Sequence, residues 1–229
     1  MPGVQVHDAV ESPKARYGTH FETMSQGPRL MTAAGSTSIS TAKQQLREQL
    51  RARRRALSPA QREAAARRVT QALLRSHWFR QARRIGIYLH TGSELSTAVL
   101  IHAAQRSAKR LYAPCIGRDG RMEFRALNTA DRLRRNRHGI SEPLGRRFLP
   151  PKQLDLLLIP LLGFDARGQR LGAGGGYYDR YLQRCGRFRP LRIGLAYSVQ
   201  RIATLPVEPW DLPLHAVVTE AGLQRFTPT

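Results

Sequence analysis

An α/β fold with a mostly parallel central sheet follows from two features of the sequence. Apolar runs at 85–89, 154–159 and 192–197 are too continuous for strands that show one face to water, and this is the pattern of strands buried on both sides. Between residues 84 and 114 a strand, a helix and a second strand alternate, a rhythm that sets neighbouring strands parallel with a helix crossing over them. The predicted architecture is a three-layer α/β/α domain, preceded by a basic helical hairpin and a disordered amino-terminal tail. Ligands of such sheets bind beyond the carboxyl ends of the strands.

Taken in order, residues 1–42 mix Gly, Ser, Thr, Pro and isolated charges without a hydrophobic period and read as the tail. Residues 43–84 hold thirteen basic residues against two acidic ones, half of the net charge of the whole chain. Leu46, Leu50 and Leu57 share one helical face there. Ser58, Pro59 and Gln61 supply an N-cap, a proline at the first helical position and a capping-box glutamine, so a second helix runs on through Val69, Ala72 and Leu73. Strands follow at 84–89 and 110–114 around a helix at 97–105, then a turn at 117–120 and a short strand at 122–125. The run at 154–159 suits the centre of a parallel sheet, and 192–197 adds another strand.

The 229 residues are 41% hydrophobic and 24% charged, ordinary values for one globular domain, here 43–229, with a tail at 1–42. The net charge of +22 is not ordinary and calls for anionic partners, phosphates first. Cys115 and Cys185 can build neither a disulfide framework nor a paired zinc motif, which fits a reducing cytoplasm. No apolar stretch reads as a signal peptide or a membrane span.

The sharpest local signal lies between Gly163 and Arg180, where Gly172, Gly174, Gly175 and Gly176 crowd five positions. Such glycines let main-chain N–H groups turn toward phosphate oxygens, and a helix at 176–183 would add its amino end. Neither the P-loop nor the dinucleotide fingerprint is present, because Gly-Lys-Ser/Thr is lacking and Tyr177 stands where the latter needs glycine. Arg170 before the glycines and Asp179 after them put a cation and a carboxylate at the two ends of one loop, an arrangement suited to a triphosphate with a bridging magnesium ion.

Four blocks in one order carry a family resemblance: Lys43-Gln44-Gln45-Leu46-Arg47, residues 92–97, residues 139–143, and Arg170 through Arg180. With the closing block at 211–220 they resemble the 5-formyltetrahydrofolate cyclo-ligases from Lys43 to Glu220. The resemblance implies an enzyme that uses ATP and Mg2+ to turn 5-formyltetrahydrofolate into 5,10-methenyltetrahydrofolate. The formyl oxygen takes the γ-phosphoryl group, N10 closes the ring, and ADP and phosphate leave. It implies Lys43, Arg47 and Arg170 as catalytic cations. ATP would meet Lys43, Gln44, Gln45, Leu46, Arg47, Arg170, Leu171, Gly172, Ala173, Gly174, Gly175, Gly176, Tyr177 and Tyr178. The folate, with or without a polyglutamate tail, would meet Leu89, Glu94 and Ala173 through Tyr177, and Asp179 and Asp211 would ligate the metal.

Glu142 and Pro143 fall in a recurring box without an assigned role, and Arg51, Arg53, Arg54 and Arg55 read as solvated helix surface. Two positions depart from the family pattern: Ala173 replaces a bulky or basic residue, and His215 an Asp. A rival reading, a nucleic-acid binder, draws on the charge, but aromatic residues are only 7% and the basic block offers just Trp78 and Phe79 for stacking. The expectation is a monomeric cytoplasmic enzyme that requires neither nucleic acid nor membrane.

Overall fold

The computed structural model describes residues 32–117, 119–128, 133–136, 139–145, 148–185 and 189–227. Residues 1–31, most of the expected tail, lie outside the described residues. The rest of that segment is not a tail, because α1 spans Thr32–Ala56 and begins eleven residues ahead of the expected domain start. No proline interrupts this stretch and its alanines favour the helix, so a helix nucleated in the basic block propagates backward through small residues. Next comes α2 (Pro59–Arg75), whose Ser58 cap and Gln61 close the capping box as the sequence implies. The two helices do not form a self-contained hairpin. Leu46 and Leu50 of α1 join Leu162, Leu171 and Leu205, whereas Leu57, Val69 and Leu73 join the main core.

After α3 (His77–Gln81) the chain enters β1 (Arg84–Gly86), crosses through α4 (Ala98–Arg106) and returns as β2 (Arg110–Ile116). A tight turn leads to β3 (Met122–Leu127), and the two-stranded pair β4 (Leu133–Arg135) and β5 (Ser141–Pro143) precedes β6 (Phe148–Leu149). The central β7 (Leu156–Pro160) is followed by the hairpin β8 (Gly163–Phe164) and β9 (Arg170–Leu171), then α5 (Tyr177–Gln183), β10 (Leu191–Leu195), β11 (Ala216–Thr219) and β12 (Gly222–Arg225). The eight-stranded sheet has the order β12-β11-β10-β7-β1-β2-β3-β6. Its five strands from β11 to β2 are parallel, and β12, β3 and β6 extend the edges by antiparallel pairing.

Alternation along the buried strands explains the continuous apolar runs. Leu156 and Leu158 of β7 face one core with Val69, Leu73 and Phe79, while Leu157 and Ile159 face the other with Phe124, Tyr181 and Leu182. The first face is covered by α2, α3 and α4. The second is covered by α5, through Tyr181 and Leu182, and by Phe164 of the β8–β9 hairpin. Phe79, a stacking candidate from the sequence, is a core residue, and Trp78 lies under the Arg225 guanidinium at 4.9 Å.

The buried Asp165 carboxylate shapes the hairpin. Its Oδ1 accepts the Arg167 and Gln169 N–H groups at 2.9 and 3.0 Å, and its Oδ2 accepts the Leu205 N–H at 3.1 Å. Gly168 completes the turn at φ +80, where a Cβ would also strike Phe226.

His215 sits where β11 begins, at the end of the sheet away from the strand carboxyl termini. Its Nδ1 accepts the Arg192 N–H at 3.0 Å, so its role is structural. Burial, with the Arg192 guanidinium adding to it, lowers its pKa to about 4. Between pH 6.5 and 4 the unfolded chain therefore binds a proton that the folded one does not, and stability falls as the pH drops through that window. Denaturant midpoints should decline from pH 7 to pH 4.5 in the wild type and decline less in His215→Asn, whose amide oxygen can accept the Arg192 N–H without titrating. Parallel declines would remove His215 as the source.

Candidate active site

A cavity of about 490 Å3 opens where β1, β2 and β7 end. Its roof is one stripe of α1. Lys43, Arg47, Arg51 and Arg54 recur at helical spacing, project from one face and line the space. Lys43 is only 6% exposed, and its ammonium donates to Glu208 Oε2 and Asp211 Oδ2, both at 2.6 Å. The Glu208 N–H donates to Asp211 Oδ2 at 2.9 Å and ties the two acids into one turn.

The three arginines meet neutral acceptors. Arg47 Nε donates to the Gly172 carbonyl at 3.1 Å, Arg51 to the Ala173 carbonyl at 3.0 Å, and Arg54 Nε to the Ser93 hydroxyl at 3.0 Å. Among the described residues none of the three makes an ion pair. The assignment of this arginine group to solvated surface is thus half right. Arg53 and Arg55 are exposed, but Arg51 and Arg54 turn inward. Burial pulls the Arg54 guanidinium below its ordinary pKa, with the Glu94 carboxylate opposing the shift. The signal was available in the spacing, since residues four and seven positions after Arg47 share its face.

Across from α1 runs the glycine loop. The β8–β9 hairpin delivers Arg170, whose guanidinium donates to the Leu212 carbonyl and to Asp179 at the start of α5. Gly174 and Gly176 adopt φ +112 and +63, conformations that side-chain-bearing residues rarely take. With only seven residues in α5, anion attraction here rests on the arginines and main-chain N–H groups more than on a helix end. Tyr178 points its hydroxyl into a buried position without a hydrogen-bond partner, and burial, aided by Glu94, raises its pKa well above the usual phenol value. It therefore stays protonated and able to donate.

The third wall carries Leu89 and Glu94. Glu94 is not a first-turn helix acid. It precedes the Thr97 cap of α4 and closes its own loop by accepting the Thr91 N–H at 2.9 Å. Tyr197 donates to the Glu94 carbonyl at 3.2 Å.

Of the residues singled out from the sequence, Lys43, Arg47, Leu89, Glu94, Arg170 through Asp179, and Asp211 all line this one cavity. Gln44, Gln45 and Leu46 do not: both glutamines are exposed on the far side of α1, and Leu46 packs with the third core cluster. Glu208 and Trp210, unremarked in the sequence, line it beside Asp211. Glu142 lines it as well, although its block gave no role.

A profile of the 5-formyltetrahydrofolate cyclo-ligase family matches residues 39–220. The chain is 38% identical over 181 residues to the 5-formyltetrahydrofolate cyclo-ligase of Escherichia coli (strain K12), covering 77% of this chain and all of that one. It is 30% identical over 196 residues to the Mus musculus enzyme of the same name, covering 81% and 97%. Among solved structures it is similar to 5,10-methenyltetrahydrofolate synthetases from Aquifex aeolicus (TM-score 0.73, 28% identity, 82% and 94% covered) and Mycoplasma pneumoniae (TM-score 0.63, 27% identity, 78% and 98% covered).

The Lys43 bridge yields a stability test. Lys43→Met leaves two mostly buried carboxylates together without their cation, at a cost of about 3 kcal/mol. Chemical denaturation should show that loss for Lys43→Met alone, and the triple variant with Glu208→Gln and Asp211→Asn should recover most of it. Equal losses in both would mean that Lys43 contributes through packing.

Proposed function

The chain belongs to the 5-formyltetrahydrofolate cyclo-ligase family, and on that premise we propose how its cavity is divided between ATP and a reduced folate. The enzyme converts 5-formyltetrahydrofolate to 5,10-methenyltetrahydrofolate in an ATP-dependent reaction. The observation that carries the division is the position of the glycine loop, which meets the cations of α1 and continues into α5 beside the wall of Leu89 and Glu94.

On the ATP side, Lys43, Arg47 and Arg170 supply fixed positive charge, and residues 172–176 supply main-chain N–H groups. Lys43 and Arg170 already hold Glu208, Asp211 and Asp179. A triphosphate competes with those carboxylates for the same cations, so its arrival turns Lys43 and Arg170 toward phosphate and frees the acids. Asp179 and Asp211 would hold Mg2+. Both are hard oxygen donors with side chains 30% and 17% exposed, and this ion takes one or two carboxylates together with phosphate oxygens. When bound, the ion neutralises charge on the phosphoryl oxygens. Among the described residues no group of three or more His, Cys, Asp or Glu forms a protein cage, which suits an ion shared with a substrate.

The formyl oxygen is a weak nucleophile, and the residues serve mainly to position it against the γ-phosphorus and to balance charge. In the reading that fits these groups, the oxygen takes the phosphoryl group and ADP departs. N10 then attacks the activated carbon, loses its proton, and phosphate leaves with the former formyl oxygen.

Leu89 and Glu94 bind the pterin side, and Arg51 and Arg54 extend the cationic stripe past the glycine loop toward it. The folate tail is a string of carboxylates, and we assign it to these two arginines. The same reading takes the enzyme as a monomer whose catalytic unit is 43–229 together with the start of α1, working in the cytoplasm with unpaired Cys115 and Cys185. Among the described residues no helix is long and apolar enough to cross a membrane.

Purified protein given 5-formyltetrahydrofolate and Mg2+ should show methenyltetrahydrofolate absorbance only when ATP is added. Asp179→Asn should keep the fold and lose at least about 100-fold of that activity, as expected when a metal ligand charge is removed; near-wild-type turnover would refute the metal assignment. Exchanging both Arg51 and Arg54 for Gln should raise the KM for a pentaglutamyl substrate by about 10-fold, since each partly exposed ion pair contributes about 0.5–1 kcal/mol. The monoglutamate should change less, and equal changes would place the tail elsewhere.

A further inference from the structure

Glu142 is a buried carboxylate for which the reaction described above has no use. It stands on β5, is 7% exposed, and lines the cavity. Its Oε1 accepts the Ile116 N–H at 2.9 Å and the Asn136 Nδ2 at 2.7 Å. Asn136 is itself held in place: its Oδ1 accepts the Ile140 N–H at 3.1 Å and its backbone N–H donates to the Ile140 carbonyl at 2.9 Å, so the amino edge of the amide is the one turned to the carboxylate. Both donors meet Oε1, and among the described residues no hydrogen bond reaches Oε2.

This carboxylate differs from three of the four other acids on the cavity wall, and shares with Glu94 the use of a single oxygen. Asp179, Glu208 and Asp211 pair with Lys43 or Arg170, and Glu94 Oε2 closes the loop at Thr91. Among the described residues Glu142 makes no ion pair; Arg134 stands opposite it on β4, and the apolar side chains of Pro114, Ile116, Met122 and Ile140 line the cavity together with it. A carboxylate set in an apolar wall is unfavourable until a donor reaches it. A donor that also fits against such a wall is a flat ring bearing N–H groups and no negative charge. Phosphate is the wrong sign, and the phosphate-seeking cations stand on α1 and β9. Ile116 ends β2, the neighbour of β1, after which Leu89 and Glu94 follow, so Glu142 belongs to the folate half of the site.

We propose that Glu142 is a specificity-determining residue for the folate: its Oε2 accepts an N–H of the reduced pterin lying against Pro114, Ile116, Met122 and Ile140, and Asn136 is the positioning residue that aims it. This rests on the reading of the cavity as the cyclo-ligase site. Glu94 and Glu142 then hold the pterin from two sides, and a ring without matching N–H groups leaves a buried carboxylate unpaired, which is how a site rejects analogues.

The test is Glu142→Gln, which keeps an oxygen for Ile116 and Asn136, keeps the shape, and turns the second acceptor into a donor. Steady-state kinetics should show the KM for 5-formyltetrahydrofolate rising roughly 10-fold to 100-fold, the range for losing one hydrogen bond to a charged group. The KM for ATP should stay within about twofold and the thermal midpoint should be unchanged. Asn136→Ala, which loosens the aim without reversing it, should raise the folate KM by a smaller factor, and it serves alone if Glu142→Gln does not fold. A folded Glu142→Gln enzyme with wild-type folate KM, or one in which both KM values rise together, overturns the proposal while the wild-type ATP-dependent absorbance change keeps the cyclo-ligase reading intact. Absence of turnover and of 5-formyltetrahydrofolate binding by calorimetry in the wild type would overturn both.

Discussion

The carboxyl end of the sheet is held in shape by one fully buried anion, the Asp165 carboxylate. By accepting N–H groups from Arg167, Gln169 and Leu205, it fixes the β8–β9 turn and anchors the segment that leads to Glu208 and Asp211. Arg170 leaves that hairpin toward Asp179, and Lys43 reaches the other segment from α1. Arg170, Glu208 and Asp211 thus hang from two pieces of chain joined through a single side chain. Since a fully buried carboxylate needs hydrogen-bond donors, the geometry of these two segments and the satisfaction of Asp165 are the same requirement.

Cations and carboxylates of the site hold one another in this arrangement. Lys43 with Glu208 and Asp211, and Arg170 with Asp179, form compact charge-paired groups at the cavity wall. Such pairs add little net stability once desolvation is counted, but they keep long side chains in fixed places. On the proposed reading, a polyanion with its metal ion would exchange partners with both members of each pair. The unpaired arginines of α1 differ, resting on carbonyl and hydroxyl oxygens that a carboxylate or phosphate can displace.

The long α1 helix carries six of the chain's basic residues against one acid and turns four of them to the cavity. One of its faces is an anion-seeking stripe and another carries Leu46 and Leu50 into an apolar cluster with Leu162, Leu171 and Leu205. Packing therefore sets the distance between the arginines and the glycine loop. Of the aromatic residues of the basic block, Phe79 packs in the core and Trp78 lies under the Arg225 guanidinium.

Much of the fold was legible in the chain. Continuous apolar runs marked the buried parallel strands, the Ser58–Gln61 box marked the start of α2, and the glycine block between Arg170 and Asp179 marked the site, because local spacing is enough to encode each of these. What the chain could not declare depended on contacts between distant segments. Thr32–Ala56 became helix through continuity with a packed stretch, although its first residues carry no apolar period. Arg51 and Arg54 have the composition of surface residues, and only the cavity beneath α1 makes them part of a site. Glu142 is an acid on a three-residue strand until Ile116 and Asn136 bind one of its oxygens, and among the described residues no hydrogen bond reaches the other. Sequence determined which groups exist and on which elements they ride, whereas which charges end up facing one another was decided by tertiary packing, since burial and pairing are properties of a neighbourhood and not of a residue.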